Sequence, residues 1–324
     1  MNQQKVYLHV GLQKTASTYL QDKVFPNMSG ISYVGRPYTQ VNKAFNSLQY
    51  ADDSLYSSDT LSRELQLIRQ DAGAKPVLIS DELFSGYAFY GMINRGMVAK
   101  RLAELIPESE VILFLRGQVD LVESLYNQYV KTGLTSCDMG PSFLYKPGNG
   151  FSYQEWKDGE RRWRYKNRAF QHWYPFSTSH FLYSNLLSMY ESLFNKVHVF
   201  LYEDFKHNPA ETLKRLEHIL SLKIAYDPSS EREQVNVRLQ DNDIKLKIAE
   251  NRLASLFPSQ SKRRLRQFLA RPLSFFISTQ TETERRKYVA DVLRDEGIFQ
   301  DNKILDETKH LGMEKYADQY FVGR

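Results

Sequence analysis

The segment from Val6 to Leu20, VYLHVGLQKTASTYL, constrains the fold more than any other stretch. An apolar run suited to a strand leads into a polar turn holding Gly11, Lys14, Thr15, Ser17 and Thr18, and the chain then turns helical. A helix entered in this way presents backbone N–H groups and the positive end of its dipole to an anion with phosphate-like oxygens. The hydroxyls add donors, and Lys14 adds a compact, mobile charge. The spacing is not G-x-x-x-x-G-K-[ST], because only two residues separate Gly11 from Lys14 and no second glycine intervenes.

Strand, loop and helix in that order belong to α/β architecture, and the chain continues the alternation. Strands are expected over 6–10, 76–80, 111–115 and 197–201, and helices over 17–25, 61–71, 95–106, 119–131, 179–194 and 210–220. The intervals suffice for right-handed crossovers, so the expected fold is a central parallel sheet flanked by helices. From 132 to 177 the pattern breaks into Gly, Pro, Tyr and Trp, an irregular insertion of the length that lids and binding segments have. From 236 to 324 the chain reads as helices broken at Pro258 and Pro272, an extension packed on the α/β core of residues 1–235.

The composition suits a protein with a full hydrophobic core: 324 residues, 42% hydrophobic. Forty-three basic against 38 acidic residues give +5, too mild for nucleic acid but favourable to anionic ligands. A lone Cys137 excludes an internal disulfide framework. The opening MNQQKVYLHV lacks a charged then apolar leader, and no run reaches the ~18 apolar residues of a membrane span, so a cytoplasmic location is expected. The seven His are scattered without zinc-like spacing, and no metal is expected. Nothing in the sequence specifies an oligomeric state.

A second segment, VILFLRGQVDLVESLYNQYV from Val111 to Val130, is an apolar strand ending in Arg116, with Ser124 eight residues later on the following helix. Open α/β sheets gather ligand contacts at strand carboxyl ends. With the first segment it resembles the PAPS-dependent sulfotransferases, whose sulfuryl donor is 3′-phosphoadenosine-5′-phosphosulfate. Their 5′-phosphosulfate loop reads P-K-[ST]-G-[ST]-[ST]-[WYF]-L, and Gln13 to Leu20 is QKTASTYL. Their 3′-phosphate motif pairs a strand-end Arg with a Ser eight later, as Arg116 and Ser124 stand. Val197 to Pro209, VHVFLYEDFKHNP, is similar to the family's strand ending in Y-E-D. The likeness runs from residue 5 to 221 and then fades.

The resemblance implies a P-loop-like sulfotransferase fold with a helical C-terminal elaboration, PAPS as co-substrate and PAP as product. It assigns Lys14, Thr15, Ala16, Ser17 and Thr18 to the phosphosulfate end, Arg116 and Ser124 to the 3′-phosphate, and Tyr19 and Tyr202 to the adenine. Lys14, Ser124 and a general base form the expected catalytic set. In VLISDELFSG, Glu82 before Leu83 takes the place of the His in the family's K-T-H-L-like sequence, and Asp81 is the other candidate. Both acids could instead cap the following turn. Gln13 replaces a Pro, Ala16 a Gly, and Gly117-Gln118 the pair after the Arg. Because Ala disfavours positive φ, the loop is expected in an ordinary helical turn. The late R-K-G element has no clear counterpart, since the basic stretch from Lys262 to Arg266 lacks the glycine.

Two other readings stay open: a phosphotransferase with Asp81 holding magnesium, and a nucleotide-binding module without catalysis. Trp156, Trp163 and Trp173 in the insertion suit sugar rings or aryl groups alike, whereas Glu82 as base and the Y-N-Q-Y-V helix resemble the carbohydrate-directed members of the family, which implies a glycan or glycolipid acceptor.

Overall fold

The computed structural model describes residues 4–36, 45, 47–88, 91–134, 139–141, 143–146, 175–225, 238–256 and 263–323. Its centre is a five-stranded parallel sheet in the order β2-β3-β1-β4-β7. The strands are β1 (Val6–His9), β2 (Ser32–Val34), β3 (Val77–Ser80), β4 (Glu110–Leu115) and β7 (Lys196–Leu201). β1 and β3 are buried along their whole length, the near-continuous apolar composition that a parallel strand covered on both faces requires. A further pair, β5 (Leu144–Tyr145) and β6 (Phe176–Ser177), lies at the two ends of the segment 146–175.

Alternation along the strands divides the core in two. Val6 and Leu8, with Val111, Leu113 and Leu115, pack against α2 (Ser58–Ala72), α3 (Arg95–Leu105) and α5 (Tyr183–Leu193). Tyr7, Leu78, Ile112 and Phe114 face the other way, onto Leu20 and Val24 and onto α7 (Pro209–Leu220), which follows the short α6 (Tyr202–His207). A third apolar cluster joins α4 (Gln118–Thr132) to α8 (Asp241–Leu256), α10 (Glu282–Asp295) and α11 (Ile298–Lys309). Inside it, the buried Glu123 carboxylate accepts from the buried Arg285 guanidinium at 2.8 Å, a pair that neither partner could leave cheaply. The extension therefore shares its core with the helix that carries Ser124.

The four expected strands are present, and β2 is added at the edge. Its three residues, Ser32, Tyr33 and Val34, are too few to give a periodic signal. The helix after β1 starts as α1 (Ser17–Tyr19), widens to π-type turns over Leu20–Val24 and ends in a 3-10 turn, Phe25–Asn27, whose Pro26 lacks an N–H to continue it. The expected helix over 179–194 is split, because Ser177 caps a 3-10 turn at Thr178–Phe181 before α5 begins. Trp156, Trp163 and Trp173, and with them most of the insertion, lie outside the described residues.

Candidate active site

β1 is flanked by β3 and β4, so the chain crosses over it between them and opens a crevice at the carboxyl ends. Four strands end there, and each delivers a residue singled out in the sequence. Lys14 follows β1, Glu82 follows β3, Arg116 follows β4 and Tyr202 follows β7. They line one cleft of about 900 Å³ together with Ala16, Ser17, Thr18, Tyr19 and Ser124.

The loop after β1 departs from the expected conformation. Lys14 has φ 68° and Ala16 φ 66°, both left-handed. A residue with a Cβ pays about 1 to 3 kcal/mol for such a conformation, so the surroundings must over-determine it. They do: Thr15 Oγ1 and Ser17 Oγ both donate to the Leu12 carbonyl, at 2.5 and 3.1 Å, and Arg116 Nη1 donates to the Lys14 carbonyl at 2.7 Å. Gln13 Nε2 donates to the Gly86 carbonyl at 2.9 Å, and Ser85 Oγ to the Gly11 carbonyl at 2.9 Å, so the turn after β3 holds the loop from its other side. A Pro at position 13 could not make that contact. Thr15 is fully buried, its hydroxyl is committed to Leu12 and it is not on the cleft lining, whereas Ser17, whose hydroxyl bonds to the same carbonyl, and Thr18 are.

Lys14 Nζ donates to Gln128 Oε1 at 2.9 Å. Burial pushes the Lys14 ammonium below its ordinary value, and the neighbouring Glu82 carboxylate opposes that shift. Glu82 is pushed up by burial, against the pull of Lys14 and Arg36. The two acids after β3 have separate roles. Asp81 is buried, and its carboxylate accepts from the Leu83 N–H at 2.9 Å as the cap of the 3-10 turn Glu82–Ser85; burial raises its pKa to about 6. Glu82 is the one that lines the cleft.

Arg116 lies with its guanidinium carbon 4.5 Å from the centre of the Tyr202 ring, and its buried Nε has no hydrogen-bond partner among the described residues. A guanidinium N–H of this kind can donate to an anion. The corner behind it is locked from a distance. The Tyr183 hydroxyl donates to the Arg116 carbonyl, and the Gly117 N–H donates to Glu203 Oε1 at 3.1 Å. The Tyr320 hydroxyl donates to Glu203 Oε2 at 2.5 Å, and Gln118 exchanges amide bonds with Asn302 at 2.9 and 3.0 Å. Burial raises the Glu203 pKa, while the bonds from Tyr320 and Gly117 favour its charged form. Gly117 meets the tail closely: a Cβ there would lie 3.0 Å from Gln319 Cβ. This approach accounts for glycine where the resembled family has another residue.

Sequence reasoning missed Gln128, Arg36, Asp120, Lys131 and Arg238, which also line the cleft. A signal existed for three of them. Asp120, Ser124, Gln128 and Lys131 recur at helical spacing on α4, one polar face opposite Leu121, Val122, Leu125 and Tyr129. Arg238 comes from the chain entering the extension, where its guanidinium bridges Glu282 at 2.7 Å and Glu123 at 3.3 Å. His9 belongs to the core: it is fully buried, bonded through Nδ1 to Ser80 Oγ at 2.7 Å, and burial lowers its pKa to about 3. Among the described residues, no group of three or more His, Cys, Asp or Glu is placed to hold a metal ion, and no helix is long and apolar enough to cross a membrane.

No family model and no curated protein matches the chain. Among the solved structures that are similar to it in part are two sulfotransferases. The sulfotransferase from Alicyclobacillus acidocaldarius is 17% identical, with a TM-score of 0.42, covering 81% of this chain and 99% of that one. The sulfotransferase domain from the curacin biosynthetic pathway is 13% identical, with a TM-score of 0.37, covering 73% of this chain and 79% of the other. Both likenesses are distant, and the functional reading rests on the residues of the cleft.

Proposed function

We propose that the chain is a sulfotransferase that moves the sulfuryl group of PAPS to an acceptor hydroxyl. One observation carries the reading: Lys14, Glu82 and the pair Arg116 and Ser124, from three separate segments of the chain, line a single cleft at the strand carboxyl ends. The residues fit the co-substrate. Two anion-seeking groups, the Lys14 loop and the unpaired Nε of Arg116, suit a nucleotide phosphorylated at both ends of its ribose, and Tyr202 offers a ring face beside Arg116. In the transfer, the acceptor oxygen forms a bond to sulfur while the bond from sulfur to the bridging oxygen of PAPS breaks, releasing PAP. Glu82 takes the acceptor's proton, and its raised pKa makes it a better base near neutral pH. Lys14 balances charge on the departing phosphate, and Gln128 steers its ammonium. The acceptor we favour is a glycan or glycolipid hydroxyl, on the strength of the carboxylate base and the aromatic composition of the insertion.

The phosphotransferase reading would need the Asp81 carboxylate for magnesium, and that group is buried as a turn cap. Calorimetry decides between the two. PAP should bind about tenfold to a hundredfold more tightly than adenosine 5′-phosphosulfate, which lacks the 3′-phosphate. Equal affinities would remove Arg116 from the reading, and tight magnesium-dependent ATP binding would replace it. Radiolabelled PAPS with a panel of sugar, lipid and phenol acceptors then tests the acceptor class.

A further inference from the structure

The extension contains a stretch that the cleft does not use. Between Glu250 and Glu282 the sequence has no acidic residue and six basic ones, Arg252, Lys262, Arg263, Arg264, Arg266 and Arg271, in a chain otherwise near balance. This stretch holds α9 (Arg263–Ser274). Leu265, Phe268, Leu269 and Pro272 recur at i, i+3, i+4 and i+7, the spacing of one apolar stripe. Only part of that stripe is covered. Ala270 is fully buried and Leu269 partly so, whereas Leu265 and Leu273 are exposed and Phe268 is 75% exposed. Just beyond the helix, Phe275 and Phe276 stand 88% and 87% exposed. Of the ten large hydrophobic residues exposed among the described residues, five fall in these twelve positions, so this is a patch and not scatter.

Charge and apolar surface are arranged together. Arg264 and Arg271, seven apart and both exposed, border the stripe on one side. A helix with a basic border, protruding Phe and Leu, and no acid lies in the plane of a lipid interface, its rings below the headgroups and its guanidinium groups reaching up to the phosphates. We propose that α9 with Phe275 and Phe276 docks this protein onto the surface of an anionic bilayer. The stripe stands on one convex helix of single-sign charge. A fluid interface accepts that shape without a matching groove, whereas a protein partner would have to supply one. The proposal is independent of the sulfotransferase reading.

Flotation of the full chain with phosphatidylcholine vesicles, with and without phosphatidylserine, tests it. Binding should require phosphatidylserine and weaken as salt is raised. The double variant Phe275→Ser/Phe276→Ser should lower partitioning at least about tenfold. Arg264→Gln and Arg271→Gln should each lower it roughly fivefold. All four side chains are exposed, so the melting temperature should hold. Failure to bind anionic vesicles would overturn the proposal, as would binding indifferent to the two Phe. So would a dimer of this chain that the Phe variant dissolves while vesicle binding persists, because a second copy would then be what covers the patch.

Discussion

Two strand-to-helix corners face the same cleft and are held differently. The loop after β1 is held partly from within, since Thr15 and Ser17 bond to Leu12, three and five residues back, and partly by the neighbouring strand ends through Gly86, Ser85 and Arg116. The corner after β4 is held from far along the chain, by Tyr183, Glu203, Asn302 and Tyr320, from 67 to more than 180 residues away. One corner is thus a cradle with some bonds inside its own turn. The other is a socket completed by the C-terminal tail, through Asn302 and Tyr320.

The largest effect we expect separates the chemistry from both corners. Glu82→Gln should lower turnover about a hundredfold to ten-thousandfold while PAP affinity stays as it was. The base works deprotonated and its pKa is raised, so the rate should fall as pH drops through a value above the ordinary carboxylate range, and the variant should lose that acid limb. A wild-type rate in Glu82→Gln beside a dead Asp81→Asn would show that the wrong neighbour had been chosen.

Next in size is Glu203→Ala, which strips an acceptor from two buried donors, the Gly117 N–H and the Tyr320 hydroxyl. It should cost about 2 to 4 kcal/mol in urea unfolding and weaken PAP more than adenosine 5′-phosphosulfate. In the first corner, Thr15→Val removes one bond and leaves the Leu12 carbonyl with the one from Ser17, so it should cost only about 1 kcal/mol. If Thr15→Val proves the costlier of the two, the contrast between the corners collapses.

The smallest effect has the opposite sign. Ala16→Gly relieves a left-handed alanine and should raise stability by about 0.5 to 1 kcal/mol in thermal melts, after the unfolded-state entropy of glycine is subtracted. A destabilised variant would mean that the loop is not left-handed in solution.

Legibility followed the same division. The cradle could be read because its residues are sequential: a strand, a lysine and hydroxyls within one short stretch. Its left-handed turns could not, because intrinsic preference argues against them at Ala16 and only the enclosing bonds reverse it. The strands were visible because burial on both faces leaves uninterrupted apolar runs, whereas three-residue β2 leaves none. The support of Arg116 was illegible, since Glu203 and Tyr320 are an acid and a phenol with no local mark of their meeting. Gln128 and Lys131 were there to be read from the period of α4, once Ser124 had been placed on it.

The pairing of β5 with β6 carries a consequence for how such a protein can be altered. Leu144 and Tyr145 lie beside Phe176 and Ser177, so the two ends of the segment 146–175 are adjacent. The entropy of closing a loop grows only with the logarithm of its length, about 0.6 kcal/mol for each doubling. What lies between the two strands can therefore be lengthened, shortened or exchanged with little disturbance to the sheet. The pair works as a cartridge mount, at which one connecting segment could be exchanged for another.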